Sequence, residues 1–417
     1  PLRCRRCRRC RLLRPMEITP AMRSAAKAYP TGNAEQFPFH HLCTALQKCE
    51  RRNLKVEGKL NLLLSARLLA TLEGHSPFPI LRLVLPVVDR ERPVYSIKEK
   101  QLAALFCHAL GFDKNSREWH MLKRFKNANV LEGDMKVAVG DFPMVLYYIV
   151  KSREFRGRTL TIKGVNDILD SLSRQGLKGQ ARKDIVAGRV FQNMCALEIK
   201  WFVRIVLKDL KIGVKHDRVL DYLHPDARDM FTKCSDLRLV LATLRDPNER
   251  VSVSLGLFQV FSPMLAARAD GFDVTRNTMR QGFYIEWKFD GERMLVHKKG
   301  NQVKFFTRNG NDYTSKYGDA LKDLVLSHVR AEEAILDGEV LVWDDGRKAF
   351  TKFGSNVTMA KAQREGTSDG TCWMCLMLFD IVYMKGPRGV GLSSAAASSF
   401  SSSSSSSSSI SSFSSSS

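Results

Sequence analysis

Residues 283–310 read F-Y-I-E-W-K-F-D-G-E-R-M-L-V-H-K-K-G-N-Q-V-K-F-F-T-R-N-G. Apolar and polar residues alternate along much of this stretch, which is the period of a β-strand with one buried face. In Phe283–Arg293 that period puts Ile285, Trp287 and Phe289 on one side and Tyr284, Glu286 and Lys288 on the other. Asp290-Gly291 and Asn309-Gly310 are turn signals, so hairpins are expected at both. A lysine and a glutamate on the polar face allow two readings. One is an ordinary amphipathic hairpin facing water, and the other is a nucleophilic lysine at the floor of a cleft. The second role requires the free amine, a form that desolvation and a nearby cation favour. Arg293, across the expected turn, could supply that charge.

Residues 334–344 alternate in the same way, whereas the chain before Pro263 has a different texture. Ile162, Val165, Ile168, Leu169 and Leu172 recur at three- and four-residue steps, a helical face. In Met194–Gly213, Leu197, Trp201 and Ile205 form an apolar stripe, and Lys200, Arg204 and Lys208 a cationic one that Lys211 extends. Gly213 would cap that helix. Four cations on one face suit phosphate contacts, and a solvated lysine face is the equally weighted alternative.

The 417 residues carry 66 Lys and Arg against 43 Asp and Glu, a formal charge of +23. Seven of these charges are the arginines of residues 1–14, and the remaining +16 belongs to the body of the chain. A distributed basic excess favours a polyanionic partner. The longest clean apolar run, Phe142–Val150, is far short of the roughly 20 residues a membrane helix needs. Ten cysteines are too sparse for a disulfide scaffold. Cys372 and Cys375 sit three apart in a strand-like stretch, hence on opposite faces. Cys4, Cys7 and Cys10, among arginines only, make a poor metal site. The pattern fits reduced structural cysteines in an intracellular protein. Met16 is the expected start of translation, and Ser393–Ser417, with 19 serines in 25 residues, is expected to be disordered.

Lys288-Phe289-Asp290-Gly291-Glu292-Arg293 matches K-x-D-G-x-R, the signature of the covalent nucleotidyltransferases. Thr307-Arg308-Asn309-Gly310, Leu336-Asp337-Gly338-Glu339 and Phe379-Asp380-Ile381 resemble the following blocks of that superfamily, in the right order. The helical half narrows the resemblance. Glu198–Val214, His224-Pro225-Asp226-Ala227, Phe261-Ser262-Pro263-Met264-Leu265-Ala266 and Phe353-Gly354-Ser355-Asn356 resemble the eukaryotic ATP-dependent DNA ligases of type IV. RNA ligases and capping enzymes lack such a helical domain. The resemblance covers about residues 38–385.

It implies an all-α DNA-binding domain followed by a partial α+β adenylation domain. The expected divisions are a disordered basic leader (1–37), the helical domain (38–245), the partial adenylation domain (246–390) and a Ser-rich tail (391–417). It also implies ATP and Mg²⁺ as cofactors and a lysyl-AMP intermediate on Lys288. By the resemblance, Glu286 would accept from the adenine amino group, and Trp287 and Phe289 would contact the nucleotide through their backbone. Arg293 and Arg308 would hold ribose or phosphate, Glu339 the ribose and metal, and Phe379 the base by stacking. Duplex DNA with nicks or breaks is the implied partner, together with a coiled-coil end-joining scaffold, in the nucleus. The family's E-G-x-x-x-K and K-x-K blocks do not follow Phe379, where Lys385 is the only later lysine. Ser262 and Phe353 also stand where the family carries lysine. The expectation is therefore a C-terminally truncated ligase, with a non-catalytic DNA-binding product as the alternative.

Overall fold

The computed structural model describes residues 16–50, 54–64, 72–126, 140–153, 160–246, 248, 250–263, 268–279, 285–308, 310–351, 354–365, 367 and 370–386. It divides into two units, Pro1–Ser254 and Leu255–Ser417. The arginine leader up to residue 15, Phe283, Tyr284, Asn309, Phe353, residues 264–266 and the serine tract lie outside the described residues.

The first unit is helical. Helix α1 (Pro20–Ala28) starts where Thr19 accepts a hydrogen bond from the Met22 amide and Pro20 takes the first helical position. It packs on α8 (Leu237–Thr243) with Ala26 buried. Met16 bridges Val253, and Ile18 and Ala34 are buried. The expected disordered leader is thus wrong for residues 16–37: their small apolar residues fold onto the helical unit.

Between these ends run α2 (Phe39–Glu50), α3 (Val56–Leu63), α4 (Phe78–Val84), α5 (Phe142–Lys151), α6 (Ile162–Ser173) and α7 (Ala196–Val206). The periodic apolar residues of α6 are all buried, as their spacing requires. Helix α7 lies at the centre, packed against α5 and α2, and every residue from Glu198 to Val206 is buried. No described helix is long and apolar enough to cross a membrane.

The second unit is an antiparallel sheet of β1 (Glu292–Lys299), β2 (Gln302–Thr307), β3 (Glu333–Asp344), β4 (Ala349–Phe350) and β5 (Cys372–Lys385), with α9 (Thr314–His328) and α10 (Ser355–Arg364). β1 pairs with β2 and with β3, β5 runs along β3, and β4 adds two residues to the end of β3. Met294 and Val296 of β1, Phe305 of β2 and Leu336 of β3 point to one face, where they pack with Tyr317, Leu321 and Val325 of α9. The opposite face is only partly covered. Leu295, Phe306 and Ile335 there meet Phe261, and the start of β1 and the middle of β3 bring Arg293, Asp337 and Glu339 onto the same face.

The second turn signal is matched: the chain folds back after β2, where Phe306 bridges Asp312 antiparallel and the Thr307 amide donates to the Asn311 carbonyl at 3.0 Å. The first is not. β1 and β2 are joined by Gly300-Asn301, with Gly300 at φ +52°. Asp290-Gly291 instead leads into β1, and residues 285–290 form no strand.

Candidate active site on the open sheet face

The register of β1 against β3 assembles this site. Arg293 lies opposite Glu339, and Leu295 lies opposite Asp337, so Arg293, Asp337 and Glu339 share one face. Arg293 reaches diagonally to Asp337 with Nε to Oδ1 at 2.9 Å and Nη2 to Oδ2 at 2.5 Å. Asp337 is 3% exposed, so its charge is balanced inside the sheet by this two-pronged contact. The carboxylate in turn holds the Arg293 guanidinium above its ordinary value, chiefly through the hydrogen bond. The same guanidinium stands 5.6 Å from the centroid of the Phe379 ring on β5, and that ring is 42% exposed.

Glu339 serves the segment that carries the lysine. Its Oε1 accepts from the Gly291 amide at 2.9 Å. Glycine is needed there because a Cβ would come within 2.4 Å of the Val340 carbonyl and 2.6 Å of Leu341 Cδ2. At Gly338, by the β3–β5 irregularity, a Cβ would likewise come within 2.6 Å of the Met377 carbonyl. One residue beyond Gly291, Glu292 accepts from the Tyr317 hydroxyl, which ties the start of β1 to α9. Phe289 packs edge-on to Phe350 of β4, with centroids 6.2 Å apart.

Lys288 is exposed, as are Glu286, Trp287 at 89% and Ile285 at 85%. Among the described residues Lys288 lies on an exposed segment rather than in a closed cleft, and Arg293 is engaged with Asp337. Arg308 is exposed one residue past β2, where the Met294–Thr307 pair sets it beside Arg293. The structure thus gathers Arg293, Asp337, Glu339, Phe379 and the Gly291 amide. It leaves Glu286, Trp287 and Lys288 on the exposed segment leading into them. Sequence reasoning missed Asp337 as the arginine's partner, although its Asp-Gly-Glu block was in view.

The predicted DNA-contact stripe is a correction. Lys200 is fully buried and Arg204 is 1% exposed. Lys200 donates to Gln47 and Glu50 (2.9 and 2.5 Å), and Arg204 to Glu50 and Asp141 (2.8 Å each). Both are thus interior ion-pair partners that cannot also reach a phosphate. Helix α7 ends at Val206 rather than near Gly213, because Lys208 and Lys211 adopt φ +57° and +52°. Lys208 is spent on the carbonyls of Arg92 and Pro93 at 2.6 and 2.9 Å. Lys211, about half exposed, is the member of the four that faces outward.

Sequence comparison supplies the class that this geometry suggests. The model described as "DNA ligase N terminus" matches residues 38–224, and that of the "ATP dependent DNA ligase domain" matches residues 263–394. The chain belongs to the ATP-dependent DNA ligase family. Among its relatives is DNA ligase 4 of Gallus gallus, 32% identical over 375 residues, 84% of this chain and 40% of that protein. DNA ligase 4 of Homo sapiens is 33% identical over 370 residues with the same coverage. That of Arabidopsis thaliana is 34% identical over 312 residues, 74% of this chain and 25% of that protein. The chain thus spans about 40% of the length of its animal relatives. A solved structure described as mycobacterial DNA ligase D complexed with ATP and MES is 27% identical over 24% of this chain and 30% of that chain. Its TM-score is 0.17.

Proposed function

We propose that the open sheet face accepts ATP and that Lys288 becomes adenylylated, as the first step of sealing DNA strand breaks. The observation that carries this reading is the meeting of Arg293, Asp337, Glu339 and Phe379 on one face, directly after the K-x-D-G-x-R segment. The Lys288 Nζ lone pair attacks the α-phosphorus, the bond to the bridging oxygen breaks, and pyrophosphate leaves while the amine proton passes to solvent. AMP then moves to the 5′-phosphate of a break, and the 3′-hydroxyl displaces it.

Each residue has a part in that sequence. Phe379 offers a half-exposed ring for stacking on the base. Arg293, fixed by Asp337, and Arg308 beside it present cations to ribose or phosphate. Glu286 is positioned in sequence to accept from the adenine amino group, and the backbone of Trp287 and Phe289 to line the nucleotide. Glu339 has one oxygen on the Gly291 amide and its other without a hydrogen-bond partner among the described residues, which suits one carboxylate ligand of Mg²⁺. Mg²⁺, when bound, neutralises charge on the phosphoryl oxygens.

The helical unit, with the chain's basic excess and Lys211 outward, supports binding of duplex DNA with nicks or breaks. The match to DNA ligase 4 proteins supports a role in non-homologous end joining in the nucleus; a coiled-coil end-joining scaffold is the partner this reading implies. A second reading, DNA binding without catalysis, is favoured by the exposure of Ile285 and Trp287, which leaves the lysine segment unpacked.

Incubating the chain with Mg²⁺, ATP and a nicked duplex, then running a denaturing gel, separates these readings. Sealed product that vanishes in Lys288→Ala is the expected result. A retarded DNA complex on a native gel without sealing or adduct would overturn it in favour of binding alone.

A further inference from the structure

One cluster outside the nucleotide face has no part in the chemistry above. His40 lies in the first turn of α2, and Cys195 and Glu198 lie at the start of α7. The His40 Nδ1 is 3.7 Å from Cys195 Sγ and 4.0 Å from Glu198 Oε1, and all three ligand atoms fall within 4.8 Å of one another. Glu198 is 1% exposed. Its Oε2 accepts from the Cys195 amide at 2.8 Å, a capping arrangement, while its Oε1 is buried with no hydrogen-bond partner. An orphaned buried carboxylate oxygen is costly, and here it is aimed between a thiol and an imidazole nitrogen.

We propose that His40, Cys195 and Glu198 form a zinc-type divalent cation site clipping α2 to α7, with the fourth position open to water. Tetrahedral zinc, at ~2.1 Å from nitrogen, ~2.0 Å from oxygen and ~2.3 Å from sulfur, separates nitrogen from sulfur by ~3.6 Å and nitrogen from oxygen by ~3.3 Å. Side-chain shifts of under about 1 Å close the present arrangement to that geometry. The residue choice agrees. Ser, Thr, Asp and Asn are the usual helix N-caps, and Cys195 replaces them with a soft ligand. His40 is 44% exposed, which gives the ion a path in. The clip would join segments 155 residues apart.

Cobalt titration of the full chain, with Cys4, Cys7, Cys10, Cys372 and Cys375 replaced by serine, tests the site. The readouts are the near-ultraviolet thiolate-to-cobalt band and its displacement by zinc. One equivalent with a single-thiolate band is expected, and Cys195→Ser, which keeps a good N-cap, should abolish it. His40→Ala and Glu198→Gln should each weaken binding at least tenfold, with helical circular dichroism unchanged. No band in the five-serine background, a band surviving Cys195→Ser, or unchanged affinity in the other two variants would overturn the proposal.

Discussion

Arg293 and Asp337 are diagonal neighbours on adjacent strands and are joined by two hydrogen bonds, yet their environments differ. The carboxylate is 3% exposed and the guanidinium side chain 23%. Removing the arginine strands a buried charge, whereas removing the carboxylate leaves a cation that can turn to water. Arg293→Ala should therefore cost about 3–5 kcal/mol in the stability of the second unit. Asp337→Asn should cost only about 1–3 kcal/mol. Urea unfolding followed by tryptophan fluorescence compares them, and equal costs would contradict the asymmetry.

Gly291→Ala should damage the site more than the fold. The added methyl collides with the Val340 carbonyl and Leu341, so the segment must lift and its amide must leave Glu339. Transfer of AMP to the chain should fall by about tenfold or more, since sub-ångström misplacement costs that much or more in rate. A pulse of labelled ATP resolved over time reads this directly.

His297 makes the sheet unit sensitive to acid. It is fully buried, its Nδ1 accepts from the Phe258 amide at 3.0 Å, and burial holds it down at about 4. A histidine whose folded value is depressed is neutral when native and takes up a proton on unfolding. Its contribution is complete above about pH 6.5 and drains away as pH falls towards 4, up to about 3 kcal/mol. The urea midpoint of this unit should drop across that window, and His297→Phe should flatten the drop.

The four cations of the 200–211 region should separate into two behaviours. Lys200→Ala leaves Glu50 short of a partner and should lower the melting temperature while leaving the salt dependence of DNA binding unchanged. Lys211→Ala should do the reverse, reducing the slope of log K against log salt by about one if it meets a phosphate. Fluorescence anisotropy over a salt series checks both.

That contrast shows what one-dimensional spacing can carry. Steps of four residues correctly put Lys200 and Arg204 on one helix face, but nothing local told that Glu50, 150 residues earlier, and Asp141 would cover it. The turn at Asp290-Gly291 failed for a related reason. Asp-Gly and Gly-Asn are both hairpin signals, and the choice fell to Gly300-Asn301 because Gly291 is required flush against β3. Strand β3, the β1–β2 pair and the face of α6 were legible from their periodicity, although β1 and β3 prove to be buried on both faces. The folded residues 16–37 were not, since short helices of alanine and polar residues have a weak period, and it is α8 that buries them.

The central claim is that Lys288 itself takes the nucleotide. The chain should be incubated with ATP and Mg²⁺, digested, and the peptides mapped by mass spectrometry under conditions that preserve a phosphoramidate. A single adenylyl group on the Lys288 peptide, absent from Lys288→Ala and reversed by added pyrophosphate, is the predicted result. An unmodified Lys288 peptide, or AMP carried on another residue, would contradict it.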